Sequence, residues 1–284
     1  MRPTMENHGF FRRLTLLTGI EAAAALEKCR VIVFGLGGVG SWCAEALVRS
    51  GIGSISLVDY DTVAASNVNR QIQASCSTIG RLKTEALEER LKDINPSCEI
   101  KTFPYVFSKE GAELYAISKA DYIIDAIDTL TQKLDLIETA LEAGKTIFSS
   151  MGMAQKLDPT LIKTADIWDT RGCPLARLVR QGLRKRNISG HFTAVYSPER
   201  LPRYTDSLPE EQDSANRASG ETEPEHLALS IQGKAVPLCK KAINGSAVTV
   251  TATAGMVLAS LVIRDLCARI DSSGTLCRPG GPDE

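Results

Sequence analysis

The sequence predicts a doubly wound α/β fold, in which helices cover both faces of a mostly parallel sheet. Three observations lead to this prediction. Short apolar runs alternate with helical stretches from residue 30 to about residue 150, and such alternation favours a parallel sheet. The first run, residues 31–34, leads directly into the glycine pattern G-x-G-x-x-G at residues 35–40. An acidic residue, Asp59, follows the second run and lies 19 residues after Gly40.

The glycine pattern predicts a nucleotide site at this strand-to-helix turn. Gly35 allows a tight turn, Gly37 lets the backbone approach a phosphate, and Gly40 lets the helix pack closely on the strand. A helix from residue 41 would direct free N–H groups at that phosphate. Asp59 lies where a carboxylate accepts hydrogen bonds from a ribose. We therefore predict a Rossmann-like core that binds a nucleotide at the carboxyl ends of its strands.

The remaining elements follow in chain order. Residues 11–28 begin as an irregular arm and continue into an alanine-rich helix, and residues 61–83 are rich in amides and small residues, which indicates a structured loop. The predicted helices are at 82–94, 109–118, 131–143 and 174–186. The further predicted strands are at 54–58, 98–103, 122–125, 146–149 and 161–166. Alternating Val248 and Val250 predict an added C-terminal strand, and residues 256–270 a closing helix that packs on the sheet.

These elements give a predicted division of the chain into six parts. They are an N-terminal arm and helix (1–29), a nucleotide-binding Rossmann-like core (30–170), a basic helix and strand (171–203), a flexible acidic loop (204–237), the C-terminal strand and helix (238–270), and a disordered tail (271–284). The acidic loop is predicted from seven carboxylates among residues 204–225, mixed with Pro, Ser and Gly.

Composition excludes several other classes of protein. The net charge of −1 points to no particular partner. Eight cysteines without a C-x-x-C pair support neither a disulfide framework nor a structural zinc site. The longest apolar stretch, 247–263, carries three threonines and a serine, so no membrane span is predicted. The N-terminus lacks a signal-peptide pattern, and we expect a cytoplasmic protein.

Taken together, the motifs resemble the ubiquitin-activating superfamily in its bacterial form, whose members adenylate carboxylates. The resemblance is carried by the glycine loop, Asp59, Asn67, the triplet Asn69-Arg70-Gln71, Lys83, and the D-x-x-D pattern of Asp125 and Asp128. It implies ATP in the glycine loop, with its ribose held by Asp59. It implies phosphates held by Asn67, Arg70 and Lys83, and Mg²⁺ held by Asp128. The same ATP site would include Gly38, Asp61, Asn69 and Gln71.

The resemblance also implies a homodimer with composite sites. Residues 11–14 are similar to a family segment whose arginine reaches the ATP of the partner subunit, and Arg13 is the better match. The implied catalytic residues are Arg13, Arg70, Lys83 and Asp128. Cations and Mg²⁺ suit this chemistry, because a carboxylate must approach a triphosphate. Two simpler interpretations stay open: Lys83 is an ordinary solvated lysine, and Asp128 only caps the helix that begins near Thr129.

Four C-terminal motifs resemble the tRNA threonylcarbamoyladenosine dehydratases. They are L-D-P-T at 157–160, P-L-A-R at 174–177, L-R-K-R at 183–186 and Y-S-P-E at 196–199. This family uses ATP to close the threonylcarbamoyl side chain of a modified adenosine in tRNA into a ring. The helix at 174–186 carries a basic stripe, which predicts a contact with tRNA phosphates; the alternative is a solvated amphipathic helix. The stripe consists of Arg177, Arg180 and Arg184, extended by Lys185 and Arg186.

Two other functions remain open from the sequence. The first is an adenylyltransferase for a ubiquitin-like sulfur-carrier protein, with Cys173 as a covalent acceptor; a cysteine at a helix start can have a lowered pKa. The second is a non-catalytic nucleotide-binding or sulfur-relay partner, which would bind ATP without turnover. A cysteine desulfurase or a sulfur acceptor is a further expected partner of the protein. A nicotinamide dehydrogenase shares the glycine loop but explains neither the triplet at 69–71 nor Lys83.

Overall fold

The computed structural model describes residues 9–200, 227–229, 235–237 and 245–270. Its main sheet has seven strands. They are β1 (Arg30–Phe34), β2 (Ser54–Val58), β3 (Glu99–Phe103), β4 (Tyr122–Asp125), β5 (Thr146–Ser150), β6 (Lys163–Asp166) and β7 (Thr193–Tyr196). They lie side by side in the order β3-β2-β1-β4-β5-β7-β6. Strand β6 runs antiparallel to β7, and the other pairings are parallel. The mostly parallel sheet is confirmed.

Helices cover both faces of this sheet. They are α1 (Arg12–Thr18), α2 (Ile20–Lys28), α3 (Gly40–Arg49), α4 (Lys83–Ile94), α5 (Leu130–Glu142), α6 (Pro174–Lys185) and α7 (Val248–Ala268). Side chains of β1 alternate between two cores because successive residues of a strand point to opposite faces. Val31 and Val33 join the core that contains α3 and α7. Ile32 and Phe34 join the core that contains α5 and α6. The doubly wound architecture is therefore confirmed.

Helix α7 corrects the predicted C-terminal strand. Residues 248–250 are helical, and Val250, Ala254 and Leu258 are buried at the i, i+4, i+8 spacing of one helical face. Gly255 lets α7 pack against α3, since a Cβ at this position would lie 2.5 Å from the Val39 carbonyl oxygen. By length and apolar content α7 could cross a membrane, but its buried face is part of the core. Burial has overridden the strand preference of its valines and threonines.

Smaller corrections concern the N-terminal arm and the segments between strands. The predicted irregular arm is helical, because α1 begins at Arg12. Two 3₁₀-helices, Lys109–Tyr115 and Ile117–Lys119, replace the α-helix predicted at 109–118. Strand β6 starts later than predicted, after the 3₁₀-helix Pro159–Leu161.

Strand β7 extends the core past residue 170, where the predicted core ended. It is an inner strand of the sheet, parallel to β5 on one side and antiparallel to β6 on the other. Most of the predicted acidic loop (204–237) and all of the predicted tail (271–284) lie outside the described residues. Within the loop, β8 (Leu227–Leu229) and β9 (Ala235–Pro237) form an antiparallel pair.

Candidate active site

The glycine loop joins β1 to α3 at the edge of the sheet where the parallel strands end, which we call the carboxyl edge. Gly35 has a φ of +86°, and a Cβ there would lie 2.7 Å from the Ala126 carbonyl oxygen. A Cβ on Gly40 would overlap the Gly35 carbonyl oxygen. A Cβ on Gly37 would meet nothing within 4 Å. The loop is thus tightly packed at its two ends and open in the middle, where a phosphate is expected.

Asp59 lies directly after β2 and beside this loop. Its carboxylate accepts hydrogen bonds from the backbone N–H groups of Leu36 (2.6 Å) and Asp61 (2.9 Å). Burial raises the pKa of Asp59 above its usual value, and the nearby Lys83 ammonium opposes that shift. The hydrogen bond to Leu36 joins the acid to the glycine loop. The structure therefore brings together two of the predicted nucleotide-binding elements.

Lys83 is the first residue of α4, and its ammonium group points into the same site. Its Nζ atom lies 2.7 Å from Asp61 Oδ2 and 3.9 Å from Asp59 Oδ1. The side chain is only 6% exposed. The interpretation of Lys83 as an ordinary solvated lysine is therefore wrong. Asp61 is 36% exposed, so this charged cluster reaches the surface on one side.

The triplet at residues 69–71 packs beside the glycine loop. The Arg70 guanidinium donates to the Asn69 side-chain oxygen (3.0 Å) and to the Ser66 carbonyl (2.8 Å). Trp42 of α3 donates from Nε1 to the Arg70 carbonyl (2.9 Å). A Cβ on Gly38 would lie 3.2 Å from the Arg70 Cγ atom. Arg70 is thus held against the loop, while its guanidinium keeps donors for a ligand.

The polar residues around this triplet are fixed by backbone contacts. Asn69 donates to the carbonyl of Ser246, just before α7 (3.0 Å). Asn67 is buried and accepts a hydrogen bond from Ala64 N–H (3.1 Å). Gln71 is buried and accepts from Gln73 (3.4 Å), which also donates to the Leu36 carbonyl (2.8 Å). Sequence reasoning missed Gln73, although it belongs to the same amide-rich segment as the triplet.

The D-x-x-D turn after β4 contains a fully buried ion pair. The Asp125 carboxylate lies 2.6 Å from Lys133 Nζ, and both side chains are 0% exposed. Lys133 also donates to Ser149 Oγ (3.3 Å) and to the Ser150 carbonyl (2.9 Å). Asp125 additionally accepts from Ile127 N–H (3.1 Å), within the turn. Sequence reasoning missed Lys133; its spacing from buried Ile137, one helical turn later, was the available signal.

Asp128, the predicted metal ligand, is exposed at this turn. The N-cap residue of α5 is Thr129, directly after Asp128, and its side chain makes no capping hydrogen bond. The interpretation of Asp128 as a cap of this helix therefore stays open beside the metal site. No group of three or more His, Cys, Asp or Glu residues in the described part of the chain could hold a metal by itself. Mg²⁺ is usually bound by one or two carboxylates together with substrate phosphates. A single carboxylate at the nucleotide edge fits that pattern.

The predicted basic stripe on α6 is only partly available for a ligand. Arg180 donates to the Ile167 carbonyl (3.4 Å) and to Thr170 Oγ1. Burial and the positive charge of two neighbouring arginines lower the pKa of Arg180. Arg186 pairs with Asp135 (2.6 Å) and Glu138 (2.8 Å) of α5. These two arginines therefore anchor α6. The exposed cations of the stripe are Arg177, Arg184 and Lys185.

Cys173 and Arg13 lie in opposite environments. Cys173 immediately precedes α6 and is 4% exposed, in the core with Ala176 and Val179. Such burial disfavours a role as a covalent acceptor for a protein C-terminus. Arg13 is exposed on α1. The same N-terminal segment exposes four large apolar side chains, those of Phe10, Leu16, Leu17 and Ile20.

Several known proteins are similar to this chain in sequence and in fold. The tRNA threonylcarbamoyladenosine dehydratase of Bacillus subtilis is 42% identical over 189 residues, which are 66% of this chain and 74% of that protein. The Escherichia coli protein of that name is 35% identical over 192 residues, 65% of this chain and 72% of the other. The crystal structure of E. coli TcdA, a tRNA N6-threonylcarbamoyladenosine dehydratase, in complex with ATP has a TM-score of 0.75 at 28% identity. That alignment covers 94% of this chain and 97% of the other.

A more distant relative represents the sulfur-carrier alternative. The adenylyltransferase and sulfurtransferase UBA4 of Candida glabrata is 32% identical over 155 residues, and this chain covers only 36% of it. The model of the ThiF family matches residues 11–277, nearly the whole chain. That match includes the glycine loop, the acid after β2, the triplet and the D-x-x-D turn. The chain belongs to the ThiF family.

Proposed function

We propose that this protein dehydrates N6-threonylcarbamoyladenosine in tRNA and uses ATP to activate the carboxylate. One observation carries the proposal: four separate motifs meet at the carboxyl edge of the sheet. Asp59 is hydrogen-bonded to the glycine loop, Lys83 is bonded to Asp61, Arg70 contacts Gly38, and the turn after β4 packs against Gly35. The similarity to dehydratases, one of them crystallised with ATP, supports the choice of substrate.

ATP binding follows from the acceptors and donors at this edge. The Asp59 carboxylate uses one lone pair for Leu36 and one for Asp61. An ionised carboxylate has about four such acceptor sites, so two remain for the ribose hydroxyls. Helix α3 begins directly after the glycine loop, and the free N–H groups of such a helix start would be directed at a phosphate there.

Charge neutralisation is the main task of the protein before the first chemical step. A substrate carboxylate and a triphosphate repel each other, and preorganised cations remove that repulsion in a site that excludes water. Arg70, which lies beside Gly38, and Lys83, which begins α4, would supply positive charge. Asp128 would hold Mg²⁺, which supplies further positive charge to the phosphates when it is bound.

The reaction then proceeds in two displacement steps. The carboxylate oxygen of the threonylcarbamoyl group attacks the α-phosphorus of ATP, and pyrophosphate leaves. A nucleophilic atom of the same side chain next attacks the activated carbonyl carbon. AMP leaves with the former carboxylate oxygen, and the nucleophile loses its proton. The product is a ring that has lost one water. No enzyme nucleophile is needed, which agrees with the burial of Cys173.

The tRNA would lie along α6. Arg177, Arg184 and Lys185 are exposed on this helix, and contacts between phosphates and such cations release counterions from the nucleic acid. Arg177→Ala should therefore reduce the magnitude of the log–log salt slope of tRNA binding by about one. Gln181→Ala, an exposed neutral position on the same helix, is the matched control. An unchanged slope for Arg177→Ala would contradict the contact.

The exposed apolar residues of the N-terminal segment favour a homodimer. Phe10, Leu16, Leu17 and Ile20 are between 64% and 81% exposed, and several large apolar side chains exposed within one short segment favour an interaction site. A second copy packed on α1 would carry Arg13 toward its neighbour. Mixing Arg13→Ala with Lys83→Ala protein should then restore part of the activity, because one mixed site carries neither lesion. Absence of recovery despite verified subunit exchange would contradict this arrangement.

The deciding experiment measures the product directly. The protein is incubated with ATP and tRNA bearing threonylcarbamoyladenosine, and the nucleosides are analysed by mass spectrometry. We expect the loss of one water from the modified nucleoside, release of AMP and pyrophosphate, and no such loss with Lys83→Ala. An adenylate formed only on the C-terminus of a carrier protein would overturn the proposal. A sulfur-relay partner and a cytoplasmic location stay predictions from the sequence.

A further inference from the structure

An open cleft of about 550 Å³ lies between the end of α6 and the start of β7. Six residues line it: Trp168, Arg184, Asn187, Ile188, Ser189 and His191. None of these six side chains is acidic. We call it the Trp168 cleft, after its aromatic residue, which lies in the 3₁₀-helix Ile167–Asp169 that follows β6.

The aromatic ring of this cleft is held in a fixed orientation. Trp168 donates from Nε1 to the Gly190 carbonyl (3.1 Å), and its backbone N–H donates to the Asp166 carboxylate (2.9 Å). The second oxygen of Asp166 lies 3.1 Å from His191 Nδ1. The Arg184 guanidinium carbon lies 5.3 Å from the centre of the indole ring. The cleft is thus a preorganised aromatic surface covered by a planar cation.

The Trp168 cleft is separate from the nucleotide site, because it lies at the opposite edge of the sheet. Strand β6 ends beside the start of β7, where Asp166 pairs with Thr193. The start of α6 is at the carboxyl edge, since a Cβ on Gly172 would lie 2.8 Å from Pro198, which follows β7. Helix α6 has 12 residues and is therefore about 18 Å long. Its exposed cations lead from one edge to the other.

The chemistry of the lining favours an unpaired nucleobase as occupant. Bases that have left a helical stack are bound on aromatic rings and on arginine guanidinium planes, and hydrogen-bonded by nearby amides and hydroxyls. Arg184 and Trp168 supply the planes, while Asn187 and Ser189 supply the polar groups. The neighbouring cations Arg177 and Lys185 complement a phosphate backbone.

We propose that the Trp168 cleft binds an unpaired base of the tRNA substrate, at the edge of the sheet opposite the reacting nucleotide. This inference rests on the proposed function and deepens it. The modified nucleoside would occupy the carboxyl edge, the backbone would follow α6, and a second loop nucleotide would stack on the planar groups of Trp168 and Arg184. Recognition at two points would select a structured RNA loop over a free modified nucleoside.

Fluorescence tests the base contact without reference to catalysis. The chain has two tryptophans, so a Trp42→Phe variant leaves Trp168 as the single reporter. A stem–loop RNA with an open loop should quench its emission, whereas a fully paired duplex of equal length should not. Binding of both RNAs is followed in parallel by anisotropy. Equal quenching by both, or no quenching by a stem–loop that binds, would overturn the proposal.

Kinetics of two Trp168 variants then separate a contact from a structural defect. Trp168→Ala should raise the KM for tRNA roughly five- to a hundredfold, the usual effect of losing one stacked base. The kcat at saturating tRNA and the KM for ATP should not change, and Trp168→Phe should retain most of the affinity. The Gln181→Ala control should behave as the parent. If Trp168→Ala dehydrated the substrate with an unchanged KM for tRNA, the proposed base site would be wrong, while the proposed function would stand.

A third variant distinguishes stacking from charge. Arg184→Lys keeps the positive charge but removes the planar group, so affinity for the stem–loop should fall while the salt slope stays the same. A changed slope with unchanged affinity would overturn stacking on this residue. If no variant or parent protein dehydrated the nucleoside, the proposed function would fail, while quenching of Trp168 by the stem–loop would still support the base site.

Discussion

Two lysine–aspartate clusters lie at the carboxyl edge of the sheet, and they differ in their exposure to solvent. Lys133 is 0% exposed and is surrounded by the Asp125 carboxylate, the Ser149 hydroxyl and the Ser150 carbonyl. Lys83 is 6% exposed, but its close partner Asp61 is 36% exposed. The first cluster is closed, and the second reaches solvent through Asp61.

The same type of ion pair therefore has two different roles, one structural and one in ligand binding. The three acceptors around Lys133 belong to β4, β5 and the residue that ends β5, so the pair ties two strands to α5. It also fixes the turn that carries Asp128, through the bond from Ile127 to Asp125. Among the described residues, Lys83 pairs with the carboxylates of Asp61 and Asp59. A triphosphate could therefore compete with Asp61 for its ammonium group.

The largest expected effect is on stability, at the closed pair. Lys133→Met leaves the Asp125 charge buried without its cation, and such a change costs about 3–5 kcal/mol. The double variant Asp125→Asn, Lys133→Met should recover part of this loss, because it removes the unpaired charge. Denaturant unfolding monitored by circular dichroism gives the values, with Lys119→Met, an exposed lysine, as the control. Equal stabilities of the single variant and the parent would refute the structural role.

The next effect is on catalysis, at the open cluster. Lys83→Ala removes a preorganised charge from the phosphates and should slow dehydration by roughly a hundredfold, or about 3 kcal/mol. Its loss of stability should be smaller than that of Lys133→Met, because Asp61 is partly hydrated. Arg81→Ala, two residues away and 41% exposed, should retain activity. If instead Lys83→Ala unfolded as readily as Lys133→Met, the distinction between the two clusters would not hold.

A smaller effect concerns pH and Asp59. Burial raises the pKa of Asp59 above its usual 3.8, so the folded protein binds this proton more tightly than the unfolded chain. The contribution of Asp59 to stability is then largest at low pH and falls as pH rises from 3.8 toward the folded-state pKa. Asp59→Asn lacks this titration. The stability of Asp59→Asn relative to the parent should therefore improve as pH rises through that range. Its affinity for ATP should be lower than that of the parent, because it lacks the carboxylate that accepts the ribose hydroxyls.

Unfolding of both Asp59 proteins in urea across a pH series measures this relation, with ATP binding followed by calorimetry. A stability difference that stays constant with pH would show that Asp59 has no raised pKa in the folded state. Retained ATP affinity in Asp59→Asn would separately contradict the assignment of this carboxylate to the ribose.

The smallest effect is expected at Cys173, which extends the comparison to another buried polar group. Cys173→Ser should keep most of the dehydration activity, because the ring closure requires no covalent enzyme intermediate. A buried hydroxyl that lacks a partner costs about 1–3 kcal/mol, so we expect a modest loss of stability instead. A thioester trapped on Cys173, together with an inactive serine variant, would favour the sulfur-carrier adenylyltransferase.

Much of the site could be predicted because its residues follow strands at recognisable spacings. Gly35 indicates the tight turn, Gly40 indicates the close contact between helix and strand, and Asp59 indicates the end of β2. Each of these residues can be recognised from the sequence around it. Lys133 could not be predicted in the same way, because a lysine is buried only when strands distant in sequence supply acceptors. Val248 and Val250 misled the prediction of α7 for a related reason: their strand preference is weaker than the burial of a helical face against α3.

The sequence by itself determined the doubly wound class, the position of the nucleotide loop and the residue types that neutralise phosphates. These features depend on short-range rules: strand and helix periodicity, glycine geometry and the spacing from strand to acid. Only the tertiary structure decided which charges are closed in and which are open. It separated Lys133 from Lys83, and it assigned Arg180 and Arg186 to anchoring α6 rather than to a ligand. The physical reason is that hydration and pairing of a charge depend on neighbours that the chain brings together from distant positions.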